Sequence, residues 1–379
     1  MASIAVFHPN LASRGGGEAV CMNVLQTLQN DHDLTLVTVS EPNLSALNDY
    51  YDTDVREGNV EIDRARLADS AIDRLASLAS LPETRLWKLR SALLKRVWEP
   101  SPYDLVVSTY NEFTFDIPAV QYIHYPNAAG PRRELAEWAY LRTVESIDGH
   151  DPEQIRSSML LANSGWTASV TDDVYGVHPK IIYPPVDTSG FDPLPWTERE
   201  NGFVAVGRVE PTKNILRLVR IIERVRSRSH DVHLHIAGPL ADSAYARRVR
   251  RQMSHLEFVT LEGELDRATL CDLIASHRYG IHGKEKEHFG MAIAELLAGG
   301  TVPFVPDSGG QREVVDETDT VLYRSATDAV ETICGVLSLP DGGEHLRSTL
   351  PDIDGRFGRE QFREQIATVV DRVLTENSG

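Results

Sequence analysis

Residues 203–226 read FVAVGRVEPTKNILRLVRIIERVR. Phe203-Val204-Ala205-Val206 is a short apolar run closed by a glycine, which predicts a strand buried on both faces. Ile215 to Arg226 repeats apolar residues at helical spacing, so an amphipathic helix follows the strand. Downstream, Val232-His233-Leu234-His235-Ile236, Phe258-Val259-Thr260-Leu261 and Val302-Pro303-Phe304-Val305 predict further strands. Helical stretches at Ala244 to His255, Arg267 to Ser276 and Gly290 to Ala298 lie between them. Strand–helix alternation of this kind predicts a mostly parallel sheet covered on both faces.

The same pattern runs through the first half of the chain. Ile4-Ala5-Val6-Phe7, Leu34 to Val39, Leu105-Val106-Val107 and Val120-Gln121-Tyr122-Ile123 read as strands, with helical periodicity at Glu18 to Gln29 and Leu86 to Trp98. The stretch from Tyr183-Pro184-Pro185-Val186-Asp187 to Asn201 reads as a linker, and an amphipathic helix closes the chain at about Arg359 to Leu374. The fold class is therefore α/β, with two Rossmann-like domains facing a central cleft, 1–183 and 184–358. Ligands in such sheets bind beyond the C-terminal ends of the strands.

A formal net charge of -18 excludes a general nucleic-acid binder, which needs a basic face for phosphates. Lysine occurs only at positions 88, 95, 180, 213, 284 and 286, and arginine supplies the other cations. An acid-rich, lysine-poor chain points to a salt-adapted protein. Cys21, Cys271 and Cys334 are scattered, in no metal-binding spacing, and read as reduced thiols of a cytoplasmic protein. The expectation is of no signal peptide and no membrane span, since no apolar run approaches ~20 residues. Arg85 to Trp98 carries five cations, no acid and two tryptophans. Its stripe Leu86, Leu89, Leu93, Val97, widened by Trp87, Leu94 and Trp98, suits a peripheral contact with the inner face of the cell membrane. A core helix with snorkelling arginines is the alternative.

Four segments carry chemistry. In Glu287-His288-Phe289-Gly290-Met291-Ala292-Ile293-Ala294-Glu295, a loop ends at Phe-Gly and a helix starts, so free N–H groups can meet a phosphate or sugar hydroxyls. Glu287 and Glu295 are eight residues apart, close to a whole number of turns, which predicts one shared side. As pure acceptors, one suits sugar hydroxyls and the other a ribose diol. In Gly207-Arg208-Val209-Glu210-Pro211-Thr212-Lys213-Asn214, Arg208 and Lys213 suit a diphosphate clamp that needs no metal. Arg14-Gly15-Gly16-Gly17-Glu18 opens a helix after the first strand and suits close packing against a phosphate or acceptor. His124, in Tyr122-Ile123-His124-Tyr125-Pro126, ends a strand where it can face a transferred sugar. Asp52-Thr53-Asp54 is an Asp-x-Asp without the strand context of a metal-dependent transferase, and reads as chance.

Taken in order, these pieces resemble family-4 glycosyltransferases of the GT-B fold over nearly the whole chain. The matching residues are Gly15-Gly16-Gly17-Glu18, Asn163-Ser164, Tyr183-Pro184-Pro185-Val186-Asp187, Gly207-Arg208, Lys213-Asn214, Gly238-Pro239, Glu287 with Glu295, and Ser308-Gly309-Gly310 with Glu313. The motifs around His124 and Glu287-His288-Phe289-Gly290 look like those of dolichol-linked α-1,2-mannosyltransferases. The resemblance implies metal-independent, retaining transfer of a hexose, mannose favoured, from a nucleotide sugar such as GDP-mannose to a glycan or lipid-linked acceptor. No cofactor and no metal are implied. Arg208 and Lys213 would bind the diphosphate, and Glu287 would hold the donor sugar beside His288, Phe289, Gly290 and Met291. Glu295 would bind the ribose, His124 would contact the sugar, and Gly16 and Gly17 would lie by the phosphates and acceptor. The last helix, 359–379, would cross back to the N-terminal domain. A nucleotide-sugar epimerase of the same shape and a non-catalytic nucleotide-sugar-binding protein are the alternatives. A pyridoxal-dependent phosphorylase fits worse, because Lys284 and Lys286 are poorly placed for its cofactor.

Overall fold

The computed structural model describes residues 1–12, 15–39, 41–64, 83–129 and 135–377; Arg14 lies outside them. The chain divides into two compact units, Met1–Pro185 with Arg359–Gly379, and Val186–Gly358.

Unit 1 is built on a seven-stranded sheet. Its strands are β1 (Ser3–Phe7), β2 (Asp33–Thr38), β3 (Val60–Arg64), β4 (Leu105–Ser108), β5 (Ala119–Ile123), β6 (Met159–Ala162) and β7 (Lys180–Ile181). They lie parallel in the order β3-β2-β1-β4-β5-β6-β7. The order reverses between β1 and β4, which opens a crevice at their C-terminal ends. The central strands β4 and β5 are buried along their whole length, Ser108 and Gln121 included, because helices cover both faces. The helix Arg359–Asn377 belongs to this unit: Phe362, Ile366, Val369, Val370 and Val373 join the core formed with β1, β2 and the helix Gly16–Leu28. Arg363 fastens it by donating to Asn23 Oδ1 at 2.9 Å and Gln26 Oε1 at 3.1 Å.

Unit 2 repeats the plan with six strands. These are β8 (Glu200–Val206), β9 (His233–Ala237), β10 (Val259–Gly263), β11 (His277–Ile281), β12 (Val302–Pro306) and β13 (Leu322–Tyr323), in the order β10-β9-β8-β11-β12-β13. The reversal falls between β8 and β11. The expected linker is shorter than its composition suggested. Trp196 is 4% exposed and packs edge-on against Tyr279, and Glu200 and Asn201 already belong to β8.

Among the described residues, five strands escape the sequence reading: β3, β6, β7, β11 and β13. The central β11, His277-Arg278-Tyr279-Gly280-Ile281, is the instructive one, because its polar residues hide the apolar run. Each finds a partner: Arg278 donates to Trp196 O at 3.0 Å, and His277 Nδ1 lies 2.7 Å from Leu273 O.

The cationic helix is Glu83–Val97. Its core face is not the expected stripe. Ser91, Leu94 and Trp98 are buried, and Leu94 and Trp98 pack with Phe7, Phe113 and Phe115, whereas Val97 is 52% exposed. Trp98 is thus a core residue rather than part of a surface stripe, and Trp87 is half-buried beneath the Arg90 guanidinium. Among the described residues, no helix is long and apolar enough to cross a membrane.

Candidate donor site

In unit 2 the singled-out residues follow the C-terminal ends of the strands. β8 runs into Gly207 and Arg208, then a short turn, Pro211–Lys213, before the helix Ile215–Arg226. β11 runs into His282 to Gly290 before the helix Met291–Ala298, and β12 into Ser308-Gly309-Gly310. Backbone contacts join these loops. Gly238, at φ 147°, passes so close to Gly207 that a Cβ would fall 2.2 Å from its carbonyl oxygen. Gly309, at φ 73°, bridges Glu287, and Gly310 N donates to Glu287 O at 2.8 Å. The buried Gln311 amide donates to the carbonyls of Lys284, Pro306 and Ser308 at 3.1, 3.0 and 2.8 Å. The Glu287 loop is thereby held at its backbone before any ligand arrives.

Glu287 is the centre of an ion-pair cluster. Lys213 Nζ donates to Oε2 at 2.8 Å, Lys284 Nζ to Oε1 at 2.7 Å, and His282 Nε2 lies 3.3 Å from Oε2. Its side chain is 13% exposed. Burial alone would raise its pKa, but the His282 hydrogen bond and the Lys213 and Lys284 charges outweigh it and hold the carboxyl well below the usual range. Glu287 is therefore an anion at every physiological pH, a fixed acceptor and not a proton carrier. Arg208 stands apart: its nearest acid is Glu210, at 3.9 Å, and it is 72% exposed.

Glu295 receives a hydrogen bond from Arg267 at 2.6 Å, and Arg267 also donates to Asp187 O at 2.7 Å. Burial raises the Glu295 pKa and Arg267 opposes the rise. The expected whole-turn relation to Glu287 does not hold. The helix begins only at Met291, and Glu287 sits in a bridge to Gly309, so the two are not on one helix face. His288 and Met291 are half-buried, while Phe289 is buried edge-on against Phe357. Gly290, at φ 120°, caps the helix.

Unit 1 gathers a second group at its own strand ends. The helix Gly16–Leu28 starts directly after the loop that follows β1. A Cβ on Gly17 would lie 3.6 Å from His124 Nε2 and 3.9 Å from His8 Cε1. His8 Nδ1 pairs with Thr109 Oγ1 at 2.8 Å, and His124 Nε2 with Thr109 O at 3.0 Å. A carbonyl can only accept, so His124 carries its proton on Nε2 and leaves Nδ1 as an acceptor. Burial pushes His124 down to about 4; burial, helped by His124, pushes His8 to about 3. Asp52 and Asp54 are each taken by an arginine, Arg359 at 2.8 Å and Arg56 at 3.0 Å.

Residues 188–347 match the model of the family described as glycosyl transferases group 1. Unit 2 carries a glycosyl transferases group 1 domain. The chain is 21% identical to the GDP-Man:Man(3)GlcNAc(2)-PP-Dol alpha-1,2-mannosyltransferase of Dictyostelium discoideum, over 99% of this chain and 85% of that protein. It is 22% identical to the mouse protein of the same name, over 98% and 87%. Among solved structures, sucrose-phosphate synthase of Thermosynechococcus elongatus superposes with a TM-score of 0.74 at 15% identity, covering 99% of this chain and all of that one. HepE of Anabaena, in complex with UDP and glucose, gives 0.69 at 16% identity, over 98% and 100%. The fold is GT-B, and the matched domain is that of a glycosyltransferase.

The glycosyl transferases group 1 domain contains Arg208, Lys213, Glu287 to Met291 and Glu295, whereas His124, Gly16 and Gly17 belong to unit 1. Three of its residues join these clusters although no sequence motif assigns them there. Lys284 pairs with Glu287, and the scarcity of lysine in the chain is the signal that marks it. His282 and Arg267, partners of Glu287 and Glu295, had none, being single residues outside any motif.

Proposed function

We propose that the protein is a retaining mannosyltransferase, using GDP-mannose to extend a lipid-linked glycan without a metal at the donor site. The observation that carries this reading is the Glu287 cluster, a buried anion braced by two lysines and a histidine at strand C-terminal ends. The mannosyltransferase relatives, aligned over nearly the full chain, support the sugar and the class of acceptor.

In this reading Glu287 accepts hydrogen bonds from donor-sugar hydroxyls. Lys213 keeps two further N–H donors beyond its bond to Glu287, and with the exposed Arg208 it binds the diphosphate. Glu295, oriented by Arg267, takes the ribose diol. The bond from the anomeric carbon to the diphosphate oxygen breaks, and the bond to the acceptor oxygen forms on the same face. The acceptor hydroxyl's proton passes to the departing phosphate oxygen, so no carboxylate nucleophile is needed. Lys213 and Arg208 stabilise the charge that develops there. Within unit 1 the neutral His124 offers an acceptor at Nδ1, and Gly16 and Gly17 keep the helix start near it open.

Labelled GDP-mannose, UDP-glucose and UDP-N-acetylglucosamine, each incubated with the protein and a lipid extract, test the proposal. Mannose transfer with anomeric retention, abolished in Glu287→Ala, is expected. Transfer from a uridine donor alone would overturn the mannose assignment, and unaltered turnover in Glu287→Ala would overturn the site.

A further inference from the structure

The N-terminal ends of the central unit 2 strands, opposite the Glu287 loops, hold a second cluster. Glu200, His233 and His277 are the first residues of β8, β9 and β11, and His235 stands two residues further along β9. Because side chains alternate along a strand, His233 and His235 share a face, while Leu234 and Ile236 are fully buried on the other. β8 runs between β9 and β11, and would separate His233 from His277 but for Gly202, the register partner of His233. A Cβ on Gly202 would fall 2.2 Å from His233 Nε2. Through that gap the two rings meet, Nε2 to Nε2, at 3.1 Å. One ring nitrogen from each of His233, His235 and His277 falls within 4.8 Å of the others. Glu200 Oε2 approaches the same space, 3.3 Å from His233 Nε2 and 3.9 Å from His277 Nε2.

The outer hydrogen bonds orient lone pairs inward. His277 Nδ1 donates to Leu273 O at 2.7 Å, which leaves Nε2 bare in the neutral ring. His235 Nδ1 donates to Glu262 Oε1 at 2.5 Å, leaving its Nε2 bare as well. Metal-bound histidines are oriented in this way, their second nitrogen donating to a carboxylate or backbone carbonyl. We propose that His233, His235 and His277, with Glu200 as a fourth ligand, bind a divalent transition-metal ion of the zinc class. Three imidazoles and a carboxylate are a nitrogen–oxygen set suited to that class and not to magnesium or calcium. Zn–N bonds of about 2.0–2.1 Å in a tetrahedron set nitrogens roughly 3.4 Å apart, so the His233–His277 pair is nearly in place and the third ring, within 4.8 Å, closes by at most about 1.4 Å. His277 is 1% exposed and His233 32%, so the site has a rigid floor and an entrance. The ion would tie β9, β8 and β11 together at their N-terminal ends, away from the Glu287 loops, a structural role separate from transfer chemistry.

The test uses the full chain, stripped of metal by chelation and titrated with zinc against a chromophoric chelator. One equivalent of zinc, a rise in melting temperature, and visible d–d bands of a tetrahedral cobalt complex are expected. His233→Ala and His235→Ala should each weaken zinc binding at least tenfold, and Gly202→Ala should do the same by filling the gap. Glu262→Gln, which leaves every ligand in place, should weaken it about 10- to 100-fold and keeps the test open if a histidine variant folds poorly. Absence of a zinc equivalent in the wild type, or binding unchanged in folded His233→Ala and His235→Ala, overturns the proposal.

Discussion

Glu287 shows how surroundings set the work a carboxylate can do. A buried glutamate left alone would hold its proton near neutrality, but Lys213, Lys284 and His282 keep this one ionised. Because its folded pKa is depressed, the stability it contributes is present above the unfolded value of about 4.3 and is lost as pH falls below it. The activity profile from pH 5 to 9 should therefore show no titration of Glu287. Glu287→Gln should cut kcat/KM at least about 100-fold, on the scale of a lost preorganised electrostatic contact, without moving the profile; steady-state kinetics against pH decide this. His8 and His124 act with the same sign for a different reason, because burial disfavours their charged form. Their folded pKa values, about 3 and about 4, lie below the unfolded value of about 6.5, so the unfolded chain takes up protons first on acidification. Melting temperature should fall from pH 6.5 to 4, and His124→Gln should flatten that slope. An unchanged slope would mean that His124 is charged in the fold.

At the scale of elements, the proposed donor site depends on loops that touch. Gly238→Ala would place a methyl against Gly207 O while forcing φ 147° on a residue with a side chain. A cost of about 1–3 kcal/mol is expected from the backbone alone, read as a lower midpoint in denaturant, with weaker nucleoside-diphosphate binding by calorimetry. The helix Glu83–Val97 illustrates a different limit. Its apolar residues are broad enough around the axis that periodicity admits two faces, and packing against Phe7, Phe113 and Phe115 selects the one with Leu94 and Trp98. Trp98→Ala should thus destabilise the protein by about 3–5 kcal/mol, as a core truncation does, and equilibrium unfolding checks it; a surface tryptophan would cost far less. Short or polar strands are invisible for a related reason. β11 carries His277 and Arg278, whose partners Leu273 and Trp196 lie on neighbouring elements.

For the whole molecule, a net charge of -18 means that self-repulsion opposes compactness at low ionic strength. Raising potassium chloride from 0.1 M to 2 M, where the screening length falls to a few ångströms, should raise the melting temperature. A melting temperature that drops across that range would remove the salt-adaptation reading. Two strand–helix series and the glycine-bearing loops at Gly207, Glu287 and Ser308 were legible in the chain itself, since apolar period and turn residues are local properties. They were enough to determine two doubly wound sheets and to point to the strand ends where a donor would bind. Only the tertiary structure decided which charges meet. Lys213 and Glu287 are 74 residues apart, and His233 and His277 are 44 apart. Their contact depends on strand order, on the backbone approach of one loop to another, and on a missing side chain at Gly202. Those conditions exist only once the sheet has formed, which is why the Glu287 pair could be read as a motif while its lysine brace and the histidine cluster could not.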